Sequence, residues 1–299
     1  MYIGFREDQP DELLAVKEVA FASEAATAAI RAEYEALQRL QSCPFIVRVH
    51  DIASESRKNA ATAAKVRIVM ELFPQGTLRR LVAKSTMHRC LTDERIALMY
   101  TQQVLMGVAA LHASGVVHRD IKPENMLVMH ATPEEAWHQF QKTKGACVVV
   151  KLSDFGSCKY SEDGGACATT MNLVGTAPYL APESVRGKFS MSSDIWAVGI
   201  SALELLTPGA NVWAHWTDCS TPFALLMRIG SVSPPNHVPR FPPVRGAAGG
   251  PMVCDHADGA PVVSQATVDL MTVMLAFDPS QRPSAQECLA HPAFAQLRQ

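Results

Sequence analysis

The sequence predicts an α+β fold, with strands concentrated in the first part and helices in the remainder. Residues 13–19 (LLAVKEV) form a short apolar run of strand composition. Residues 92–114 and 194–206 are longer apolar stretches that read as helices, the second apolar nearly all round and therefore central. A length of 299 residues allows one two-lobed domain or two small ones, with ample core.

Composition narrows the class. Hydrophobic residues make up 48% and charged residues 19%, which is a folded composition. Lys+Arg 27 against Asp+Glu 29 leaves −2, so no global field points to nucleic acid or to an anionic membrane. No apolar run reaches the ~20 residues a bilayer requires, and the first residues lack the basic-then-apolar form of a signal peptide. Neither nucleic acid nor membrane is expected as a partner. The eight cysteines are scattered without a C-x-x-C pair, which fits reduced thiols and a cytoplasmic location, the nucleus being equally compatible. Cys254-Asp255-His256 has no second ligand pair nearby and reads as a solvated loop.

Taken in order, residues 13–19 place Lys17 in a strand, where a lysine alone is usually a solvated edge residue. Residues 23–41 are rich in Ala, Glu and Leu and read as a helix. Ile30, Glu33, Leu37 and Leu40 share one face, so Glu33 sits in an apolar stripe and requires a cation. Lys17 is the natural one. Residues 54–65 are polar and read as a surface loop. The helix over 92–114 has Thr92 as N-cap and Gly115 as its stop. Residues 129–146 and 231–262 read as loop insertions, the first able to bury Trp137 and Phe140 locally, the second Pro- and Gly-rich and mobile. A further helix is expected over 265–276.

The chemistry is concentrated in residues 116–156. One end reads Val116-Val117-His118-Arg119-Asp120-Ile121-Lys122-Pro123-Glu124-Asn125, the other Leu152-Ser153-Asp154-Phe155-Gly156 after the β-like run 148–152. Phosphoryl transfer needs such groups: a carboxylate to orient the attacking hydroxyl, a cation for the γ-phosphate, and an Asn with a second Asp for the metal. At these residues the chain resembles a protein kinase, through the H-R-D-x-K-x-x-N loop and the D-F-G motif. Lys122 is the phosphate contact typical of the Ser/Thr type. Ala15-Val16-Lys17-Glu18-Val19 and the run from Asp154 to Lys159 are similar to the MAP kinase kinase kinase group, whereas Tyr179-Leu180 departs from the Tyr-Trp-Met common there.

The resemblance implies a two-lobed kinase fold over 1–299, with a small β-rich N-lobe over 1–73 and a larger, mainly helical C-lobe over 74–299. It implies ATP and Mg²⁺ as cofactors and a protein substrate presenting Ser or Thr. Asp120 is then the catalytic base, Lys122 the phosphate contact, and Asn125 and Asp154 the metal ligands. Lys17, paired with Glu33, positions the ATP phosphates. Ala15, Met70, Glu71, Phe73 and Leu127 complete the ATP site, Met70 at its back and the backbone of Glu71 and Phe73 along the adenine edge. Residues 44–49 resemble the strand after the Glu33 helix, and 67–73 the strand running into the hinge. Within 154–183, the activation segment, Thr176 bonds Asp120 and Lys122. Thr169, Thr170 and Ser161 are candidate phosphosites, filled by an upstream kinase or by autophosphorylation, with Arg119 and Lys159 as receivers. Asp194 holds the catalytic-loop backbone, and Glu183 pairs with Arg282 in the interior. The family carries a Gly-rich loop, G-x-G-x-x-G-x-V, upstream of the lysine strand. Tyr2-Ile3-Gly4 resembles the strand just after it, so the chain is expected to be truncated at its start. The alternative is a protein that lacks the first strand and this phosphate cover, which leaves a pseudokinase-like scaffold as the second functional reading.

Overall fold

The computed structural model describes the chain apart from residues 7–8, 22–37, 39, 56–63, 89–93, 131–147, 161–173, 208–210, 235–236, 245–261 and 298–299. Most of the helix expected over 23–41, Glu33 included, and Thr92, Trp137, Phe140, Ser161, Thr169, Thr170, Cys254 and His256 lie outside the described residues.

Valines and isoleucines bring the first part together as one sheet. Strands β1 (Tyr2–Arg6), β2 (Gln9–Phe21), β3 (Val49–Glu55) and β4 (Ala64–Glu71) lie in the order β1-β2-β4-β3, every neighbour antiparallel. The register sets Ala15 opposite Met70 and Lys17 opposite Ile68. Since side chains alternate along a strand, Ala15 and Lys17 share a face. One expectation is corrected here. Residues 44–48 are not part of a strand in this sheet. Phe45 and Val47 instead bond the backbone of Leu152, with both N···O distances 2.9 Å, and the strand begins only at Val49. Buried Phe45, Ile46 and Val47 gain more by packing on the helical part than by extending the sheet edge. Gly107 permits that docking, because a Cβ there would stand 2.9 Å from the Phe45 carbonyl.

The remainder is mainly helical. Helix α1 (Leu78–His88) follows the sheet, and α2 (Glu94–Ala113) leads to a short strand β5 (Val116–Val117). The hairpin of β6 (Met126–His130) and β7 (Val148–Leu152) carries the segment after the Asp120 loop, and β8 (Lys159–Tyr160) pairs back on β5. Then come α3 (Pro182–Val185), α4 (Met191–Leu206), α5 (Pro222–Ser231), α6 (Gln265–Met274) and α7 (Ala285–Leu289). Helix α4 starts at a Ser190–Ser193 capping box and is buried almost throughout. Helix α2 is long and apolar enough to cross a membrane by length and composition, contrary to the expectation that no stretch would be, but most of it is buried inside the domain. Of the Pro- and Gly-rich stretch expected as a loop insertion, residues 235–236 and 245–261 lie outside the described residues. Ser231 ends a helix, Val238 and Phe241 pack on the core, and Val244 bridges Val263. The Pro residues still allow burial, because apolar side chains stand between them.

Candidate active site

The site is built where the sheet meets the helical part. Strand β7 ends at Leu152, and Asp154 then takes the left-handed conformation at φ 61°. That turn sends Phe155 into the core, 2% exposed, and leaves Asp154 in the cleft facing Lys17, with Nζ 2.5 Å from Oδ1. Burial pushes the Asp154 carboxyl up, but the hydrogen bond and charge of Lys17 outweigh it and hold the group below the usual carboxylate range.

Below it, four groups close on one another. The Asp120 carboxylate accepts from Lys122 Nζ at 2.7 Å, from the Thr176 hydroxyl at 2.8 Å and from Asn125 Nδ2 at 2.9 Å. Lys122 also donates to Thr176 Oγ1 at 2.6 Å, and Asn125 Nδ2 to the Asp120 carbonyl at 2.8 Å. With the Asn125 amide nitrogen spent in this way, its amide oxygen is the atom left for a cation.

The loop that presents Asp120 is strained and buttressed. Arg119 sits at φ 68°, which is costly for a non-glycine residue. Asp194 on α4 offsets this by accepting from the backbone N–H of His118 at 2.8 Å and of Arg119 at 2.9 Å, while His112 Nε2 lies 2.9 Å from the same carboxylate. Gly175 lies at φ 104°, and a Cβ there would come within 2.8 Å of the Arg119 carbonyl. Only glycine lets the segment carrying Thr176 approach so closely. The Arg119 guanidinium donates to the Ser157 carbonyl and lies 5.7 Å from the Phe189 ring centroid.

The cleft above these groups has a volume of about 320 Å³, within the ~300–1,000 Å³ of small-molecule sites. Ala15, Met70 and Leu127 give it apolar walls, Glu71 and Phe73 line it where β4 ends, and Lys17 and Asp154 make its polar end. Every predicted ATP-site residue among the described ones therefore lines a single cleft. Asn125 lines it as well, whereas Asp120 and Lys122 stand beside it. The Glu33 partnership of Lys17 falls outside the described residues.

Sequence reasoning missed three supports. His118 is fully buried, edge-on to Phe155 at 5.4 Å, with Nε2 3.1 Å from the Ser153 carbonyl. It joins the two motifs, although the sequence shows it only as the first letter of one. Glu71 binds Lys151 Nζ through both carboxylate oxygens at 2.9 Å and accepts from the Arg48 N–H at 2.7 Å, which ties the end of β4 to β7. Gln103 on α2 clamps β7 by bonding Val148 and Val150. No local pattern marks the last two; each is a lone polar residue whose partner is distant in the chain.

The protein kinase domain family matches residues 3–294. Mitogen-activated protein kinase kinase kinase 3 of Arabidopsis thaliana is 30% identical, covering 100% of this chain and 39% of its own length. Mitogen-activated protein kinase kinase kinase 18 of the same plant is 32% identical over 73% of this chain and 57% of its own. MAP kinase kinase kinase SSK2 of Saccharomyces cerevisiae is 28% identical over 79% of this chain and 14% of its own. The chain thus spans less than two thirds of these relatives.

Proposed function

This chain belongs to the protein kinase family, and from that premise we propose that it phosphorylates serine and threonine hydroxyls of proteins in a signalling cascade. The observation that carries the reading is the closed set Asp120–Lys122–Thr176–Asn125 beside a cleft ending in Lys17 and Asp154. The same donor set fits Mg²⁺. That ion takes oxygen ligands and is commonly held by one or two carboxylates together with substrate phosphates, and Asp154 and the Asn125 amide oxygen supply protein oxygens at the cleft's polar end. When bound, ATP would supply the γ-phosphoryl group and leave as ADP, and Mg²⁺ would offset the phosphate charge.

The residues do the rest by position and charge. Asp120 orients the attacking hydroxyl and takes its proton at a carboxylate oxygen. Lys122 sets a positive charge beside that carboxylate, where negative charge moves during transfer. Thr176 fixes both, accepting from Lys122 and donating to Asp120. Lys17 directs its ammonium to the phosphates, and Met70 and Ala15 close the apolar end. A cytoplasmic location and activation through Thr169 or Thr170 belong to the same proposal, resting on the scattered cysteines and on the motif order of the segment.

The test is Asp154→Asn, which keeps shape and removes charge. Mg²⁺-dependent phosphotransfer to a protein substrate should disappear. An unchanged rate rejects the assignment, and nucleotide binding without transfer in the unmutated chain would favour the scaffold reading instead.

A further inference from the structure

Beside the Asp120 cluster stands a second polar group that the phosphotransfer chemistry does not use. Arg79, in the first turn of α1, donates from Nε to Glu124 Oε1 at 2.8 Å. Its Nη2 donates to Glu204 Oε2 at 2.8 Å and contacts the Tyr179 hydroxyl. Tyr179 in turn donates to Glu204 Oε2 at 2.8 Å. One guanidinium thus joins α1, the catalytic loop, the activation segment and α4.

The position of this group matters for a protein substrate. Glu124 immediately precedes Asn125 and lines the cleft, and Tyr179 lies three residues after Thr176, which bonds Asp120. Glu124 stands four residues after Asp120 on the same loop, so on the phosphotransfer reading a chain that delivers a hydroxyl to Asp120 comes to the loop that carries this cluster. Two carboxylates here would attract a basic residue of that chain, but Arg79 already occupies both. Its side chain is 38% exposed, Glu124 is 44% and Glu204 15%, so the cluster is reached from solvent yet closed on itself. Burial raises the Glu204 carboxyl, and the neighbouring Arg79 works against that rise.

We propose that Arg79 is a specificity-determining residue: it stands in for a substrate cation by holding Glu124 and Glu204, so that the enzyme does not select a basic residue next to the phosphoacceptor. The proposal rests on the phosphotransfer reading for its meaning, but binding alone tests it. Fluorescence anisotropy of the full chain would use Ser-containing peptides identical except for Arg or Ala at one flanking position at a time. Turnover of the same peptides would be followed in parallel.

In the unmutated chain the Arg and Ala peptides should bind alike at every position. In Arg79→Ala the Arg peptide should gain about tenfold at one position, the scale of a charge-assisted hydrogen bond. Adding Glu124→Gln should cancel most of that gain. Arg79→Met, which keeps the aliphatic stem, carries the test if the alanine variant does not fold. An unmoved ratio in a folded variant, or a tenfold Arg preference already present in the unmutated chain, overturns the proposal. A ratio that moves without any turnover would support it and reject the phosphotransfer reading.

Discussion

Two ion pairs of nearly equal length occupy opposite settings. Arg282 grips Glu183 with two bonds at 2.6 and 2.8 Å, its side chain fully buried and its partner's 13% exposed. Lys17 meets Asp154 at 2.5 Å, with side chains 27% and 44% exposed. Arg282 is satisfied further by the carbonyls of Ala276, Ser192 and Phe277 and lies over the Trp196 ring at 4.9 Å. The Lys17–Asp154 pair spans the cleft and has open space beside it. Contact distance therefore says little about role. Desolvation decides it: the buried pair cannot lose a member without stranding a charge, whereas the cleft pair can open to water or to a ligand.

Breaking the buried pair should have the largest effect on stability. Arg282→Met leaves Glu183 in the interior with, among the described residues, only the Ser193 hydroxyl as a side-chain partner, and the expected loss is roughly 3–5 kcal/mol. Urea denaturation would read it, and a loss below about 1 kcal/mol would show that Glu183 finds water instead.

Between these extremes lies His118, buried and, among the described residues, without an ion-pair partner on its ring. Its Nδ1 lies 3.3 Å from the Asp120 N–H, which donates to it, while Nε2 faces the Ser153 carbonyl. That pattern requires a neutral ring with the proton on Nε2. Burial accordingly lowers its pKa below 6.5, against the opposing pull of Asp194 and Ser153. Below pH 6.5 the unfolded chain then binds a proton that the folded chain refuses, so stability falls as pH drops toward the lowered value. The slope from this group should approach 1.4 kcal/mol per pH unit. Denaturation at pH 7.5 and 5.5 would measure it, and His118→Asn should flatten part of the fall. An equal fall in both proteins would assign the acid sensitivity elsewhere.

The same contrast explains what could be read from the chain. The Asp120 cluster, the Asp194 buttress and the Glu183–Arg282 pair were legible because motif order carries their partners along. Strand β7 and helices α2 and α4 were legible from apolar runs, and β4 from the resemblance of residues 67–73 to the strand running into the hinge. Residues 44–48 were misread because an apolar run does not say which surface it will cover; here the surface was the Leu152 backbone. Helix α5 was passed over since its exposed Phe223 and Met227 blur the apolar stripe of Leu225 and Ile229. The Glu71–Lys151 and Arg79–Glu204 pairs were invisible, since charged residues 80 and 125 positions apart give no local signal of meeting.

The smallest change in stability should come with a large change in chemistry. Lys17→Met removes the cleft pair, and because both members reach solvent the folded state should lose less than about 1 kcal/mol. Asp154 then keeps its burial but loses the hydrogen bond and charge that hold its carboxyl low, so its pKa should rise in the variant. Phosphotransfer, on the reading proposed above, should fall by about 10²–10³-fold, the scale on which a preorganised charge contact acts in a closed site. Calorimetry and a phosphotransfer assay on one preparation check both halves together. A large stability loss would place Lys17 with Arg282 as an architectural residue. Unaltered transfer would remove it from the active site, because no packing role remains for a lysine that is so nearly free to leave.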